Sequence, residues 1–219
     1  MINNIKAVLF DLDGTTVNTI EDLCDAVKHS MNENGYPTYT VDEYKMMVGN
    51  GMRKLLERAL PKSVCNDAKV VDELFLGFAK YYTANCCNKS APYDGIVELI
   101  SRLKQAGIKI ATVTNKGESS AQRVVSKLFS DSFDFVIGQS DKYPTKPDPT
   151  TAFIAMDKLG VKPQECVFVG DSGVDMITAK NCGAYPVGVS WGFRTEQELW
   201  DNGAKHVISH PLQLLEIIF

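Results

Sequence analysis

The stretch AVLFDLDGTTVNT, residues 7–19, contains the feature that decides the fold. Its four apolar residues, Ala7–Phe10, are typical of a buried strand in a parallel sheet. The run ends in two aspartates, Asp11 and Asp13, which are followed by Gly14. A helix cap needs only one aspartate, so capping alone does not explain the pair. We therefore interpret this strand end as part of a functional site.

Further apolar runs along the chain predict an α/β fold. Strands are predicted at residues 109–114, 133–138, 166–169, 185–190 and 206–208. Apolar residues at helical spacing predict helices at residues 96–106, 119–128, 150–159 and 174–182. Because strands that alternate with helices are the pattern of a parallel sheet covered by helices, we predict a Rossmann-like parallel sheet core flanked by helices.

One segment interrupts this alternation. Between about residues 18 and 88 no strand pattern is found, and helical patterns occupy residues 20–34, a stretch after Thr40, residues 52–59 and residues 67–84. We therefore predict two domains. An α/β core of residues 1–17 and 89–219 carries a small all-helical cap domain, residues 18–88, inserted after the first strand.

Composition argues against several classes of function. The formal net charge is −4 and no basic run is present, which argues against binding to nucleic acid. No stretch approaches the ~20 apolar residues of a membrane span, and the amino terminus lacks the pattern of a signal peptide. The six cysteines form no C-x-x-C pair, as expected of free thiols in a reducing compartment. We predict a cytoplasmic protein, with its oligomeric state, monomer or weak dimer, left open.

Polar side chains follow each of the predicted strands that build the centre of the sheet. In open α/β sheets, ligands bind beyond the carboxyl ends of the strands, so these residues are the candidates for a site. They are Asp11, Asp13, Thr114, Asn115, Lys146, Asp171 and Asp175.

This set of residues predicts a magnesium ion and a phosphorylated ligand. Four carboxylates at one sheet edge repel one another unless a cation joins them. Mg²⁺ is typically held by one or two carboxylates together with a substrate phosphate. Lys146, Thr114 and Asn115 then supply the cation and the neutral donors that a phosphoryl group in transfer requires.

The spacing of the two aspartates suggests a division of labour. Residues 11 and 13 point to the same side of an extended chain. One can be a nucleophile that forms an acyl-phosphate, while the other protonates the leaving oxygen and later activates water. The small phosphorylated metabolite that such a site would cleave is the expected partner.

Four motifs in order resemble the haloacid dehalogenase superfamily, in its phosphatase branch. They are Asp-x-Asp-Gly-Thr at residues 11–15, Thr114 with Asn115, Lys146 before Pro-x-Pro, and Gly-Asp-x-x-x-Asp at residues 170–175. The match covers nearly the whole chain. The residue after the first motif, Thr16, departs from the aliphatic residue that the family usually has there.

The resemblance implies a role for each of these residues. Asp11 matches the nucleophile and Asp13 the general acid/base. Mg²⁺ would be bound by Asp11, the main-chain carbonyl of Asp13 and Asp171, and Asp175 either reaches the metal through water or steadies Lys146. The positions that hold the phosphate are matched by Thr114, Asn115 and Lys146.

Residues 48–60, VGNGMRKLLERAL, look most like phosphoglycolate phosphatases within the superfamily. This likeness favours 2-phosphoglycolate as the substrate, read by candidate specificity residues in the cap. These are Gly49, Asn50, Gly51 and Arg53, with Arg58 or Lys54 as alternatives to Arg53. Trp191, Gly192 and Arg194 are interpreted instead as core and surface residues.

Other functions remain open on the same motifs. A pyrophosphatase or a β-phosphoglucomutase-like enzyme shares this cap type, and a non-catalytic phosphate-binding protein could use the same scaffold. A dehalogenase is disfavoured because that branch lacks the second aspartate, which is present here as Asp13.

Overall fold

A computed structural model describes residue 2 and residues 4–219 of the chain. Its strands, in chain order, are β1 Ala7–Phe10, β2 Val17–Asn18, β3 Ala91–Pro92, β4 Lys109–Gly117, β5 Phe135–Gln139, β6 Cys166–Gly170, β7 Tyr185–Val189 and β8 His206–Ile208. Six of them form a parallel sheet in the order β5-β4-β1-β6-β7-β8. The prediction of a Rossmann-like parallel sheet is therefore confirmed, with β1 at its centre.

Helices cover both faces of this sheet because successive strand residues point in opposite directions. The core helices are α5 Ile96–Gln105, α6 Glu118–Phe129, α7 Thr150–Leu159, α8 Gly173–Cys182, α9 Glu196–Asp201 and α10 Gln213–Ile218. Val8 and Phe10 pack with the apolar residues of α5, α6 and α10. Ala7 and Leu9 pack with those of α7 and α8 on the opposite face.

Four helices lie between β2 and β3 in the chain. They are α1 Ile20–Glu33, α2 Val41–Met47, α3 Met52–Ala59 and α4 Ala68–Asn85, and we call residues 20–85 the helical segment. Leu23, Leu56 and Leu74 are buried among them. Thr40 caps α2, accepting a hydrogen bond from the Glu43 main chain, as its position in the sequence predicts. The helical patterns thus lie where they were predicted, and the division into two domains stays a prediction.

A two-stranded antiparallel ribbon joins the helical segment to the core. Val17 of β2 pairs with Pro92 of β3, and Asn18 pairs with Ala91. The sequence pattern gave no strand in residues 18–88, which is wrong for Asn18, because two-residue strands are too short to show a period of two. The carboxylate of Asp22 accepts hydrogen bonds from the main chains of Lys89 and Ser90, which ties α1 to this return connection.

Within the described residues, no helix combines the length and the apolar character needed to cross a bilayer.

Candidate active site

The loop after β1 turns so tightly that both of its aspartates stay at the sheet edge. Asp11 continues the sheet, because its N–H donates to the Val169 carbonyl at 2.9 Å. The carbonyl of Leu12 then accepts from the N–H groups of Thr16 and Val17, at 3.1 and 3.0 Å. This turn fixes the direction in which the Asp11 and Asp13 side chains leave the sheet.

Two glycines leave the room that two aspartates fill. Gly14 has a φ of 85°, and a Cβ placed on it would lie 2.4 Å from Oδ2 of Asp171. A Cβ on Gly170 would lie 2.2 Å from the Cβ of Asp175. Any larger residue at either position would therefore displace a carboxylate of the site.

Three of the predicted carboxylates converge at the ends of β1 and β6. One oxygen each from Asp11, Asp171 and Asp175 lies within 4.8 Å of the others. Burial, reinforced by Asp175 and Asp11, raises the pKa of Asp171 to about 8. Burial likewise raises the pKa of Asp11 to about 6, although Lys146 opposes the effect. The charged forms of these two groups are thus destabilised in the protein alone.

Lys146 reaches this cluster from the loop before α7. Its ammonium lies 2.9 Å from Oδ1 of Asp11 and 2.7 Å from Oδ1 of Asp175, with a side chain only 2% exposed. Burial alone would lower the pKa of Lys146, but the two carboxylates outweigh burial and raise that pKa above its ordinary value. Lys146 is therefore a fixed cation beside Asp11.

The cluster has the donor set that suits a hard divalent cation. One lysine faces three carboxylates, which leaves negative charge uncompensated. Oδ1 of Asp11 is buried and, among the described residues, receives no well-directed hydrogen bond. Carboxylate oxygens with spare acceptor capacity are ligands that Mg²⁺ prefers. Apart from the Lys146 ammonium at 2.9 Å, this oxygen keeps acceptor capacity that suits a bound cation.

Asp175 is already occupied by neighbours on the protein. Its Oδ1 accepts from Lys146, and its Oδ2 accepts from the main chain and the hydroxyl of Ser172, at 3.1 and 2.6 Å. Of the two roles that the sequence left open for Asp175, this geometry favours the steadying of Lys146.

The Asn115 side chain holds the loop that carries Lys146. Its Oδ1 accepts from the Lys146 N–H at 2.8 Å, and its Nδ2 donates to the carbonyls of Lys146 and Gly49, at 3.1 and 3.3 Å. Both amide hydrogens are therefore used. The predicted phosphate contact of the Asn115 side chain does not fit this arrangement. The hydroxyl of nearby Thr114 accepts from the Lys116 N–H and, within the part of the chain that the structure describes, donates to no group, so its hydrogen can serve a phosphate.

Asp13 lines the same cavity but is not one of the three clustered carboxylates, and it contacts a residue that the sequence did not single out. Its Oδ1 accepts from the Thr19 hydroxyl at 2.7 Å and from the Lys116 ammonium at 2.8 Å. Any part of Asp13 in binding a cation thus falls to its main-chain carbonyl. Lys116 directly follows the Thr114-Asn115 motif, which was the only signal for it in the sequence.

Thr16, the departure from the family pattern, fits without an unsatisfied polar group. Thr16 is fully buried, and its hydroxyl donates to the carbonyls of Asp11 and Leu12, which share its one hydrogen at 3.2 and 3.4 Å. The hydroxyl therefore braces the same turn that carries Asp11.

The predicted specificity residues do not all face the site. The loop before α3 covers the cluster, and Gly49 and Gly51 line a cavity of about 20 Å³ over Asp11. Asn50 instead accepts from Arg58, at 2.6 Å. Arg53 lies outside this cavity and pairs with Asp72 at 2.5 Å, because the helical period of α3 points it toward α4. Arg53 therefore does not reach the carboxylates.

Arg194 takes the position that Arg53 was expected to hold. It lines the cavity, and its guanidinium donates to the carbonyls of Lys45, at 2.8 Å, and Met46, at 3.2 Å, and also to that of Val48. Its interpretation as a surface residue is thus wrong. Arg194 joins the connection after β7 to the end of α2 and so holds the covering loop against the core.

We expect Arg194→Ala to free this loop. A hydrogen bond to a charged group contributes about 1.5–3 kcal/mol, so limited proteolysis within residues 45–52 should become about tenfold faster. Arg53→Ala is the matched control, since that arginine lies outside the cavity. Equal cleavage rates for the two variants would show that Arg194 does not hold the loop.

Comparison with known proteins identifies the family. Residues 8–189 match the family model described as haloacid dehalogenase-like hydrolase, which covers most of the chain. The chain belongs to the haloacid dehalogenase-like hydrolase family. The resemblance carried by the four motifs is thereby confirmed.

Individual relatives of this hydrolase share its full length. A phosphoglycolate phosphatase of Caulobacter vibrioides is 35% identical, over 94% of this chain and 87% of that protein. An N-acetylmuramic acid 6-phosphate phosphatase of Pseudomonas aeruginosa is 28% identical, over 98% of this chain and 95% of that protein. A crystal structure from Lactobacillus delbrueckii, assigned as a phosphoglycolate phosphatase, superposes with a TM-score of 0.93 at 31% identity and covers 99% of both chains. The predicted class of enzyme, a phosphoric monoester hydrolase, is confirmed.

Proposed function

We propose that this hydrolase is a Mg²⁺-dependent phosphatase that cleaves a small phosphomonoester, with 2-phosphoglycolate favoured, through an aspartyl-phosphate on Asp11. The observation that carries the proposal is the convergence of Asp11 with Asp171, Asp175 and Lys146 beneath a closed loop. The full-length likeness to phosphoglycolate phosphatases supports the choice of substrate.

The protein residues supply most of the chemistry in the first step. A carboxylate oxygen of Asp11 attacks phosphorus, and the bond from phosphorus to the leaving oxygen breaks. Lys146 and the Thr114 hydroxyl are placed to interact with the charge on the phosphoryl oxygens. Asp13 gives its proton to the leaving oxygen, so that an alcohol departs.

In the second step, Asp13 accepts a proton from a water molecule that attacks the phosphorus of the acyl-phosphate. Inorganic phosphate leaves and the Asp11 carboxylate is restored. A bound Mg²⁺, held by Asp11, Asp171 and the Asp13 main-chain carbonyl, would supply the positive charge that lets the anionic carboxylate and phosphate meet.

We propose that the helical segment belongs to a cap domain of residues 18–88 on a core of residues 1–17 and 89–219. This cap domain controls access to the active site. The cavity over Asp11 holds only about 20 Å³, which is room for about one water molecule. Substrate entry therefore requires the covering loop to move away, and its return excludes water during the first step.

A substrate panel tests this function. We expect kcat/KM for 2-phosphoglycolate to exceed the values for β-glucose 1-phosphate and N-acetylmuramic acid 6-phosphate by at least about tenfold, since closure around a larger group is impeded. Pyrophosphate, whose leaving group is no larger than glycolate, tests the pyrophosphatase alternative, and it should also be a poorer substrate than 2-phosphoglycolate. A sugar phosphate as the best substrate would refute the substrate assignment but not the phosphatase. Saturable binding of phosphate without turnover of any ester would instead support the non-catalytic alternative.

A further inference from the structure

Lys116 connects the helical segment to the proposed general acid/base. The Lys116 side chain is fully buried, and its ammonium donates to Oδ1 of Asp13 at 2.8 Å and to the hydroxyl of Tyr82. The same ammonium lies 4.6 Å from the centre of the Tyr82 ring. Because Tyr82 belongs to α4 and Lys116 to β4, one cation links the helical segment to Asp13 across the interface.

The hydrogen bonds to Asp13 are arranged on one side of its carboxylate. Thr19 and Lys116 both donate to Oδ1. Among the described residues, no hydrogen bond reaches Oδ2. The two donors therefore fix the plane of the carboxylate and leave Oδ2 as the oxygen that can exchange a proton with a leaving group or a water.

Lys116 also stands in the wall between two cavities. Lys116 and Met52 line both the small cavity over Asp11 and a larger one of about 360 Å³, which Tyr82 lines as well. The position of the ammonium is thus sensitive to how the helical segment sits on the core. A shift that lengthens its contact with Tyr82 by ~1.5 Å removes the hydrogen bond.

We propose that Lys116 is a positioning residue that orients Asp13 only when the helical segment is closed over the active site. Its hydrogen bond to Tyr82 makes this orientation depend on closure. The inference rests on the proposed function, in which Asp13 protonates the leaving oxygen. A buried ammonium needs partners for its donors, so the loss of the Tyr82 hydroxyl lets it move and releases Asp13 from its fixed plane. Proton transfer depends steeply on such placement, since a misplacement of about 1 Å can cost roughly 10²-fold in rate.

The choice of leaving group separates positioning of an acid from general damage to the site. An alkyl phosphomonoester such as 2-phosphoglycolate needs a proton on its leaving oxygen, whereas p-nitrophenolate leaves readily without one. We expect Tyr82→Phe, which keeps the ring and removes the hydroxyl, to slow the release of glycolate from 2-phosphoglycolate in a single turnover about tenfold. The single-turnover release of p-nitrophenolate from p-nitrophenyl phosphate should stay within about twofold, because that first step does not draw on Asp13 for a proton. The comparison uses the first step because Asp13 activates water in the second step with either substrate.

Tyr81→Phe is the matched control, because Tyr81 is the preceding residue of α4 and its ring packs against that of His29, with ring centres 4.3 Å apart. We expect this variant to keep the parent's rate with both substrates. Lys116→Met should show the same selectivity as Tyr82→Phe with a larger loss. If that variant does not fold, Tyr82→Phe still decides the question.

Equal losses in the single-turnover release of both leaving groups in Tyr82→Phe, or no loss on either, would overturn the role of Lys116. Failure of the proposed function looks different, because the unaltered enzyme would then turn over neither substrate.

Discussion

Asp11→Asn should lose turnover of every phosphomonoester by a factor on the order of 10⁴–10⁶, the range found when an enzyme loses its nucleophile. The amide keeps the shape of the side chain but cannot form the acyl-phosphate. It also removes a ligand from the group of carboxylates that fits a cation. The measurement is kcat/KM with p-nitrophenyl phosphate and with 2-phosphoglycolate at saturating Mg²⁺.

The loss should occur without loss of the fold. Burial raises the pKa of Asp11 to about 6, so the negative charge of Asp11 lowers the stability of the folded protein near neutral pH. A neutral amide at this position removes that destabilising charge. In metal-free buffer the melting temperature of Asp11→Asn should therefore not be lower than that of the parent. Asp94→Asn, at an exposed position before α5, is the matched control and should keep full activity. Activity of Asp11→Asn within tenfold of the parent would remove Asp11 from its role.

Removal of Mg²⁺ should abolish turnover and lower stability together. We expect EDTA to bring activity below detection and added Mg²⁺ to restore it. A metal at 100 times its Kd contributes about 2.7 kcal/mol of stability, which corresponds to a rise in Tm of roughly 5–10 °C for a chain of this size. Full activity in EDTA, or no change of Tm with Mg²⁺, would contradict a metal site at Asp11 and Asp171.

The same cluster sets the direction of the pH dependence. The pKa values of Asp171 and Asp11 are raised from 3.8 to about 8 and about 6, so the folded state binds protons that the unfolded state has released. The metal-free protein should therefore become less stable as pH rises from about 4 to about 8. Because Mg²⁺ needs the deprotonated carboxylates, its stabilising effect should grow over the upper part of that range.

Thermal melts at about pH 5 and pH 8, with and without Mg²⁺, measure this effect. Asp171→Asn should flatten the pH dependence of the metal-free protein, since it removes the group with the larger shift. A metal-free protein that gains stability on going from pH 5 to pH 8 would contradict the arrangement of charges.

The centre of the site could be predicted because it depends on main-chain topology. Parallel strands bring their carboxyl ends to one edge, so Asp11, Thr114 and Asp171 had to be neighbours once the strands were placed. The glycines confirm how closely this edge is packed, since Gly14 leaves no space for a side chain beside Asp171.

The contacts between the helical segment and the rest of the chain could not be predicted, because they depend on how the two parts pack against each other. Lys116 reads in the sequence as one lysine among many, and its partner Tyr82 comes from a different helix. Arg53 was the natural candidate to bind a substrate carboxylate, but Asp72 of α4 already pairs with it. The arginine that lies at the site is Arg194, which holds the covering loop through hydrogen bonds to main-chain carbonyls. Main-chain carbonyls are present at every residue, so the sequence gives no signal for such contacts.

The most direct test of the account is to trap the phosphorylated residue. The enzyme would be mixed with 2-phosphoglycolate and Mg²⁺, quenched in acid during turnover and reduced with borohydride, which converts an aspartyl-phosphate to homoserine. Peptide mass spectrometry should then find homoserine at position 11 in the parent and not in Asp11→Asn. Homoserine at another aspartate, or an unmodified chain quenched during active turnover, would contradict nucleophilic attack by Asp11.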